Sequence, residues 1–293
     1  MTEKLAELAT PAPHTHRESD DTEIRLIVEA DFHDRWAADV DVRAIDVQQV
    51  VHAETSPELR WIVQQLGNVQ GKRILDLGCG LGEVATYLAC RGASVVAADV
   101  SPGMLEVARR VASQHGTKIE THCIAAEKFE LGTLERFDVI YMGNVWHHID
   151  IEQSADAIFD ALVPGGTIAS WDPVAYNPLI NVYRRMANEV RTDDERPMNR
   201  QDIRAITDRC DESQIRFFWL TTLSIFLWMY LVQRRDPNRE RYWKVVIAES
   251  DRWKTWHRLL AGVDRLLMTC CPPLRYWCWN VVIIGHKADE TGR

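Results

Sequence analysis

An α/β fold built on a doubly wound, mostly parallel sheet is what the sequence predicts, and three observations predict it. Residues 74–89, ILDLGCGLGEVATYLA, read as a short apolar strand, a glycine-rich turn and a helix. ASVVAAD at 93–99 and FDVIYM at 137–142 are continuous apolar runs, as a parallel strand buried on both faces requires. From 73 to 173 such strands alternate with helical patterns, the signature of βαβ units.

Composition narrows the function classes. A chain of 293 residues has room for one large α/β domain with an elaborated cap, or for two small ones. With 43 acidic against 34 basic residues it offers no general attraction to a phosphate backbone, so no nucleic-acid partner is expected. Seven cysteines without a C-x-x-C pair or matched histidine spacing suggest neither zinc nor a disulfide framework, and a reducing cytoplasm is the expected location. Residues 1–22 carry charges, two prolines and two histidines but no apolar core, and are expected to be a disordered leader.

Residues 23–68 are expected to form a helical lid. Ile24, Ile27, Val28, Phe32 and Trp36 are spaced for one apolar helix face, and Pro57 to Leu66 forms a second helical segment. Helices ahead of such a sheet usually cover the open end of the ligand crevice. His33 and Trp36 are therefore weak substrate-facing candidates, with a solvated helix histidine as the competing reading of His33.

The first strand, Arg73 to Leu77, ends in the pattern D-x-G-x-G-x-G: Asp76, Gly78, Gly80 and Gly82. Glycines permit positive φ and remove the Cβ that would block a ligand, while the helix from Glu83 to Cys90 offers unpaired N–H groups. A dinucleotide fingerprint needs glycine at its sixth position to seat a pyrophosphate, but Glu83 stands there and would repel it. Asp99 ends the second strand 21 residues beyond Gly78, where an open sheet offers a carboxylate to two ribose hydroxyls. Ser101 and Pro102 already supply the cap and first turn of the next helix, which leaves Asp99 for the ligand.

These residues resemble the first motifs of the class I S-adenosylmethionine-dependent methyltransferases. FDVIYMGNVWHHI and LVPGGTIASWDP resemble the family's fourth and fifth motifs, in the right order, so the resemblance covers the central hundred residues. It implies a Rossmann-like seven-stranded sheet whose last strand is antiparallel, closed by Ser213 to Thr222 and Trp279 to Gly285. It also implies S-adenosyl-L-methionine as cofactor, with Asp76, Gly78, Cys79, Gly80 and Gly82 at the methionyl part and Asp99 with Val100 at the ribose. Where the family usually carries an acid for the adenine, after the strand His122 to Ala125, this chain has Ala125; the backbone of Ala126 or the side chain of Glu127 is the expected substitute. Asn144 lies at the cofactor's reactive end.

Methyl transfer from a sulfonium needs positioning and, for an oxygen nucleophile, removal of a proton, with no metal required. His147 and His148 are the candidate bases, and Asp172 is placed to fix the tautomer of one of them. A histidine pair after strand four with an acid after strand five resembles some small-molecule O-methyltransferases; a packed or capping role for one histidine is the competing reading. Trp146 and Tyr176 are further weak substrate candidates. The methyltransferase domain is drawn at 69–293 and includes a Trp-rich helical cap at 223–278. Within it, FFWLTTLSIFLWMYLV at 217–232 falls short of the about 20 apolar residues of a spanning helix, and a crossing there would separate the last strand from its sheet. The cap is read instead as packing, as a holder for a greasy substrate, or as a peripheral membrane contact. The expected activity is methylation of a small, apolar or aromatic molecule at oxygen. The alternatives are methylation of a membrane lipid or isoprenoid, and a non-catalytic S-adenosylmethionine-binding protein.

Overall fold

The computed structural model describes residues 15–129, 132, 134–187 and 195–289. Seven strands form one sheet: β1 (Arg73–Leu77), β2 (Ser94–Asp99), β3 (Glu120–Cys123), β4 (Phe137–Gly143), β5 (Leu162–Pro173), β6 (Glu212–Phe218) and β7 (Asn280–His286). Their order is β3-β2-β1-β4-β5-β7-β6. The first five run parallel, and β7 is antiparallel to both β5 and β6. This is the Rossmann-like sheet that the sequence predicts, with its last strand reversed.

Alternation along each buried strand sorts side chains into two layers. Ile74, Val95 and Val139 join helices α3 (Pro57–Leu66), α4 (Glu83–Cys90) and α5 (Pro102–Gln114) on one face. Leu75, Val96 and Ile140 join α6 (Ile151–Asp160) and α8 (Arg200–Thr207) on the other. Because β2 and β4 leave β1 in opposite directions, the crevice opens at the carboxyl ends of these strands, where Asp76 and Asp99 stand.

The segments ahead of the sheet depart from expectation in two ways. Helix α1 (Thr15–Ala38) begins inside the stretch expected as leader, whose first fourteen residues lie outside the described ones. Ile24, Ile27 and Val28 are exposed rather than forming one buried face with Phe32 and Trp36. The inward face is set instead by Leu26 and by polar latches: Arg25 donates to Glu127 and to the His148 carbonyl, and Asp34 accepts from Ser101 Oγ at 2.5 Å and Gly103 N at 2.8 Å. Moreover, α3 and the short α2 (Val47–His52) pack into the sheet's core, so among the described residues ahead of the sheet it is α1 that lines the crevice.

The apolar run 217–232 is cut in two. Strand β6 ends at Phe218 rather than Thr222, Trp219 takes a φ of 67°, and helix α9 (Ser224–Leu231) follows a short 3₁₀ turn. Buried Asp264 holds that turn, accepting from Leu220 N at 3.1 Å, Thr221 N at 2.6 Å and Thr222 Oγ1 at 2.9 Å. Asp264 belongs to α11 (Ser250–Cys270), which with α7 (Pro178–Met186), α9 and α10 (Tyr242–Ala248) surrounds a third apolar cluster of Trp219, Phe226, Met229, Tyr242 and Trp253. Among the described residues, no helix is long and apolar enough to cross a membrane.

Candidate functional site

The turn after β1 is shaped for a ligand. Gly78 and Gly80 have φ of 74° and 51°, a region that favours glycine. A Cβ on Gly78 would sit 2.3 Å from Val145 Cγ2, so this glycine lets the loop after β4 close in; a Cβ on Gly80 would meet nothing within 4 Å, because it faces an open cavity. That cavity has room of about 290 Å³. Asp76 lines it, is buried, and has no hydrogen-bond partner on either carboxylate oxygen. Burial raises its pKa to about 8, with the charges of Asp99 and Glu83 adding to the rise and the nearby Ala85 amide, outside normal hydrogen-bond geometry, opposing it. A buried carboxyl without a partner, aimed into a cavity, is suited to a ligand's ammonium group.

Asp99 closes the other wall. Its Oδ2 accepts from Gly80 N at 2.8 Å and its Oδ1 from Ser101 N at 2.9 Å, which ties the glycine turn to the end of β2 and leaves lone pairs for hydroxyl donors. Burial raises its pKa, and the Ser101 amide is the largest opposing influence. Ser101 caps α5 through Met104 N, as its sequence position predicts.

At the far end of the cavity lie the two histidines, and the structure separates them. His147 Nδ1 is 2.8 Å from Asp172 Oδ1, and both residues are buried. Burial pushes the Asp172 carboxyl well up, opposed by the amides of His147, Trp146 and Val145. The other ring nitrogen, Nε2, lies 3.9 Å from Glu195, which pairs with Arg184 at 3.3 Å. His148 turns instead toward Glu29 of α1, Nδ1 to Oε1, at 3.2 Å. The rings are stacked obliquely with centroids 4.2 Å apart.

Residues 74–166 match a family model described as a methyltransferase domain. The chain is 30% identical over 119 residues to a ubiquinone biosynthesis O-methyltransferase of Bordetella avium, a match that covers 40% of this chain and 49% of that protein. It is 34% identical over 128 residues to the protein of the same name from Pasteurella multocida, covering 40% and 53%. Over this span the chain is similar to the class I S-adenosylmethionine-dependent methyltransferases. It spans about half the length of the curated relatives it matches. Two solved structures share the fold: Haemonchus contortus phosphoethanolamine N-methyltransferase 2 (TM-score 0.51, 19% identity, 86% of this chain and 61% of that one) and the YcgJ protein of Bacillus subtilis (TM-score 0.50, 16% identity, 80% and 99%). At these identities they speak for the fold alone.

Most residues singled out by sequence converge. Cys79, Val100, Ala126, Glu127, Asn144, His33 and Trp36 line the same cavity as Asp76, Asp99 and the histidines. Three do not. Gly82, at a φ of 72°, packs against α5, where a Cβ would lie 2.4 Å from that of Ala108. Trp146 is wholly buried in the core on the α6 face, because the 3₁₀ turn 146–148 points it inward and His147 outward. Tyr176 lies outside the cavity; its hydroxyl accepts from Arg200 N at 2.9 Å and its ring meets Tyr276. Where the resemblance implies the adenine contact, Ala125 is buried in the wall, and the neighbouring Glu127 is engaged by Arg25.

Other wall residues carry no local sequence signal. Arg241 from the cap stacks 3.6 Å from the Trp36 ring centre, and burial lowers its pKa to about 10 against the opposing pull of Glu195. Lys244 pairs with Glu83, the residue that spoils the dinucleotide pattern. Tyr183, Arg184 and Glu195 complete the wall. Lid, cap and glycine turn thus meet at one cavity, although they lie up to about two hundred residues apart in the chain.

Proposed function

We propose that this chain transfers a methyl group from S-adenosyl-L-methionine to an oxygen of a small, apolar or aromatic acceptor, with His147 as general base. The observation that carries the reading is a single cavity with an unpartnered buried carboxyl, Asp76, at one end and a carboxylate-oriented imidazole at the other. When bound, the cofactor supplies a sulfonium-activated methyl open to in-line attack. Asp76 would hold the methionyl ammonium, Gly80 admit the backbone-hugging part, and Asp99 the ribose hydroxyls. His147 donates its Nδ1 proton to Asp172, which leaves Nε2 to accept the acceptor's hydroxyl proton. The imidazolium so formed faces Asp172 at 2.8 Å and Glu195 at 3.9 Å, which stabilise its charge. His147, His148 and Glu195 bring ligand-capable atoms within 4.8 Å of one another, but Arg184 pairs with the carboxylate, and we assign the cluster to proton handling.

The name of the curated relatives, ubiquinone biosynthesis O-methyltransferase, supports oxygen as the methylated atom. It also lends weight to a membrane lipid or isoprenoid acceptor, as do the rings of Phe32, Trp36, Trp243 and Trp279 in the wall. Calorimetric titration with S-adenosylmethionine tests the cofactor half: binding is expected, weakened about tenfold or more in Asp99→Ala through the lost hydroxyl contacts. Absent binding, or equal affinity in Asp99→Ala, would sink it. Labelled S-adenosylmethionine incubated with the protein and a cell extract identifies the acceptor by its label. Transfer should persist in His148→Ala and collapse in His147→Ala; the reverse pattern would move the base to His148.

A further inference from the structure

Helix α11 carries a stripe that the fold does not cover. Trp256, Leu259, Val263 and Leu266 recur at helical spacing on one side, with relative exposures of 62%, 62%, 43% and 63%. A separate side of the same helix buries Trp253, His257 and Asp264, so packing against the cap is already satisfied. Helix α9 repeats the pattern: it buries Ile225, Phe226 and Met229 and leaves Trp228 and Leu231 outside at 53% and 65%. Singly exposed apolar residues are ordinary; two helices exposing large ones in the same cap call for a partner.

Charge tells which partner. Residues 223–278 hold ten Lys and Arg against five Asp and Glu, although the whole chain has nine more acidic than basic residues. The rest of the molecule is therefore strongly acidic and the cap is its basic pole. On α11, Arg252, Lys254, Arg258 and Arg265 are exposed as well. Lys254 pairs with Asp251 and Arg258 with Glu54, but such exposed pairs contribute little and exchange readily. A second copy of this cap would bring like charges together around the apolar contact. An anionic bilayer offers both what the stripe lacks and what the cations attract, and tryptophan favours the headgroup level.

We infer that α11, aided by α9, docks the cap on an anionic lipid surface, with Trp256, Leu259, Val263 and Leu266 entering the interface. Because α10 of the same cap supplies Trp243 and Lys244 to the cavity wall, docking would bring the methyl-transfer site to an acceptor dissolved in the membrane. Vesicle binding needs neither cofactor nor acceptor, so its failure and the failure of the proposed activity are read separately.

The test is co-sedimentation of the full chain with phosphatidylcholine vesicles made with or without phosphatidylglycerol. Binding is expected to the anionic vesicles and to be weaker on pure phosphatidylcholine and at high salt. Leu259→Glu/Leu266→Glu should reduce it about tenfold or more, and Lys254→Glu/Arg265→Glu should reduce it while removing most of its salt dependence. All four side chains are exposed, and far-ultraviolet circular dichroism with a thermal melt checks that each variant folds; should the leucine pair unfold, the charge pair gives the answer. Failure to bind either vesicle overturns the inference. So does unchanged binding in both folded variants, or a wild-type dimer that Leu259→Glu/Leu266→Glu converts to monomer without any change in vesicle binding.

Discussion

The cradle at 73–173 and the cap at 223–278 are built on opposite plans. In the cradle, parallel strands with apolar side chains on both faces fix the backbone so firmly that Gly78, Asp76 and Asp99 have one place to be. In the cap, short helices surround a cluster of aromatic rings, and the chain's path is set by polar contacts reaching across sequence, Asp264 to the 220–222 turn and Lys244 to Glu83. On the proposed function, the cofactor would be held by a locally encoded frame and the acceptor by a surface assembled from distant parts.

Breaking the chemistry at the junction of the two regions should have the largest effect. His147→Ala is expected to lower label transfer by about 10²–10⁴-fold, the usual contribution of a positioned base. Asp172→Asn should approach it, since an amide in that place no longer stabilises the imidazolium. Cofactor affinity measured alongside should change little, and a matching loss of affinity would mean that the variants disturb the cradle instead.

Next comes the cap's own anchor. Asp264→Ala leaves the amides of Leu220 and Thr221 and the hydroxyl of Thr222 without their acceptor, a loss of about 3 kcal/mol. Hydrogen exchange should rise in α9 and at 219–223 while β1 and β4 stay protected; a uniform rise would show that cap and cradle unfold as one unit.

A comparable effect is expected from a buried acid under the sheet. Glu58 pairs with Asn280 at 2.7 Å, and burial raises its pKa to about 7 from 4.5. With Glu58 the folded state holds a proton that the unfolded state releases, so this residue's contribution to stability falls as pH rises from about 4.5 to about 7 and is flat above that. Glu58→Gln should remove that fall, a difference of up to about 3 kcal/mol at neutral pH, read from denaturant midpoints across the range. A slope equal to that of the wild type would assign the pH dependence to other groups.

The smallest effect belongs to the lid. Asp34→Ala frees α1 from Ser101 and Gly103 and should cost about 1 kcal/mol, seen as faster exchange in α1 and a few-fold weaker cofactor binding.

How much of this was legible in the sequence follows the same division. The central strands, the glycine turn and the place of Asp99 could be read because continuous apolar runs, clustered glycines and the Ser101–Pro102 cap are local signals. The inward face of α1 could not, since it is chosen by Arg25 and Asp34 finding partners about seventy to a hundred and twenty residues away, against the apolar spacing of Ile24, Ile27 and Val28. Nor could adjacent histidines be told apart: Asp172 selects His147 and Glu29 selects His148 only once β5 and α1 are in place. The end of β6 was misplaced because an apolar run carries no mark of a turn held from α11 by Asp264. Glu195, Arg184 and Arg241 sit in ordinary polar contexts and become wall residues only by assembly.

On the proposed function, the cavity at Asp76 takes the methionyl ammonium of S-adenosylmethionine. Below about pH 8 this buried carboxyl is protonated and must ionise to take the ammonium, so affinity should rise about tenfold per pH unit toward that value. Calorimetric titration between about pH 6 and 8 measures it: this rise is expected in the wild type, and a weak, nearly pH-independent affinity in Asp76→Asn. Absent binding, or the same pH profile in both proteins, would contradict it.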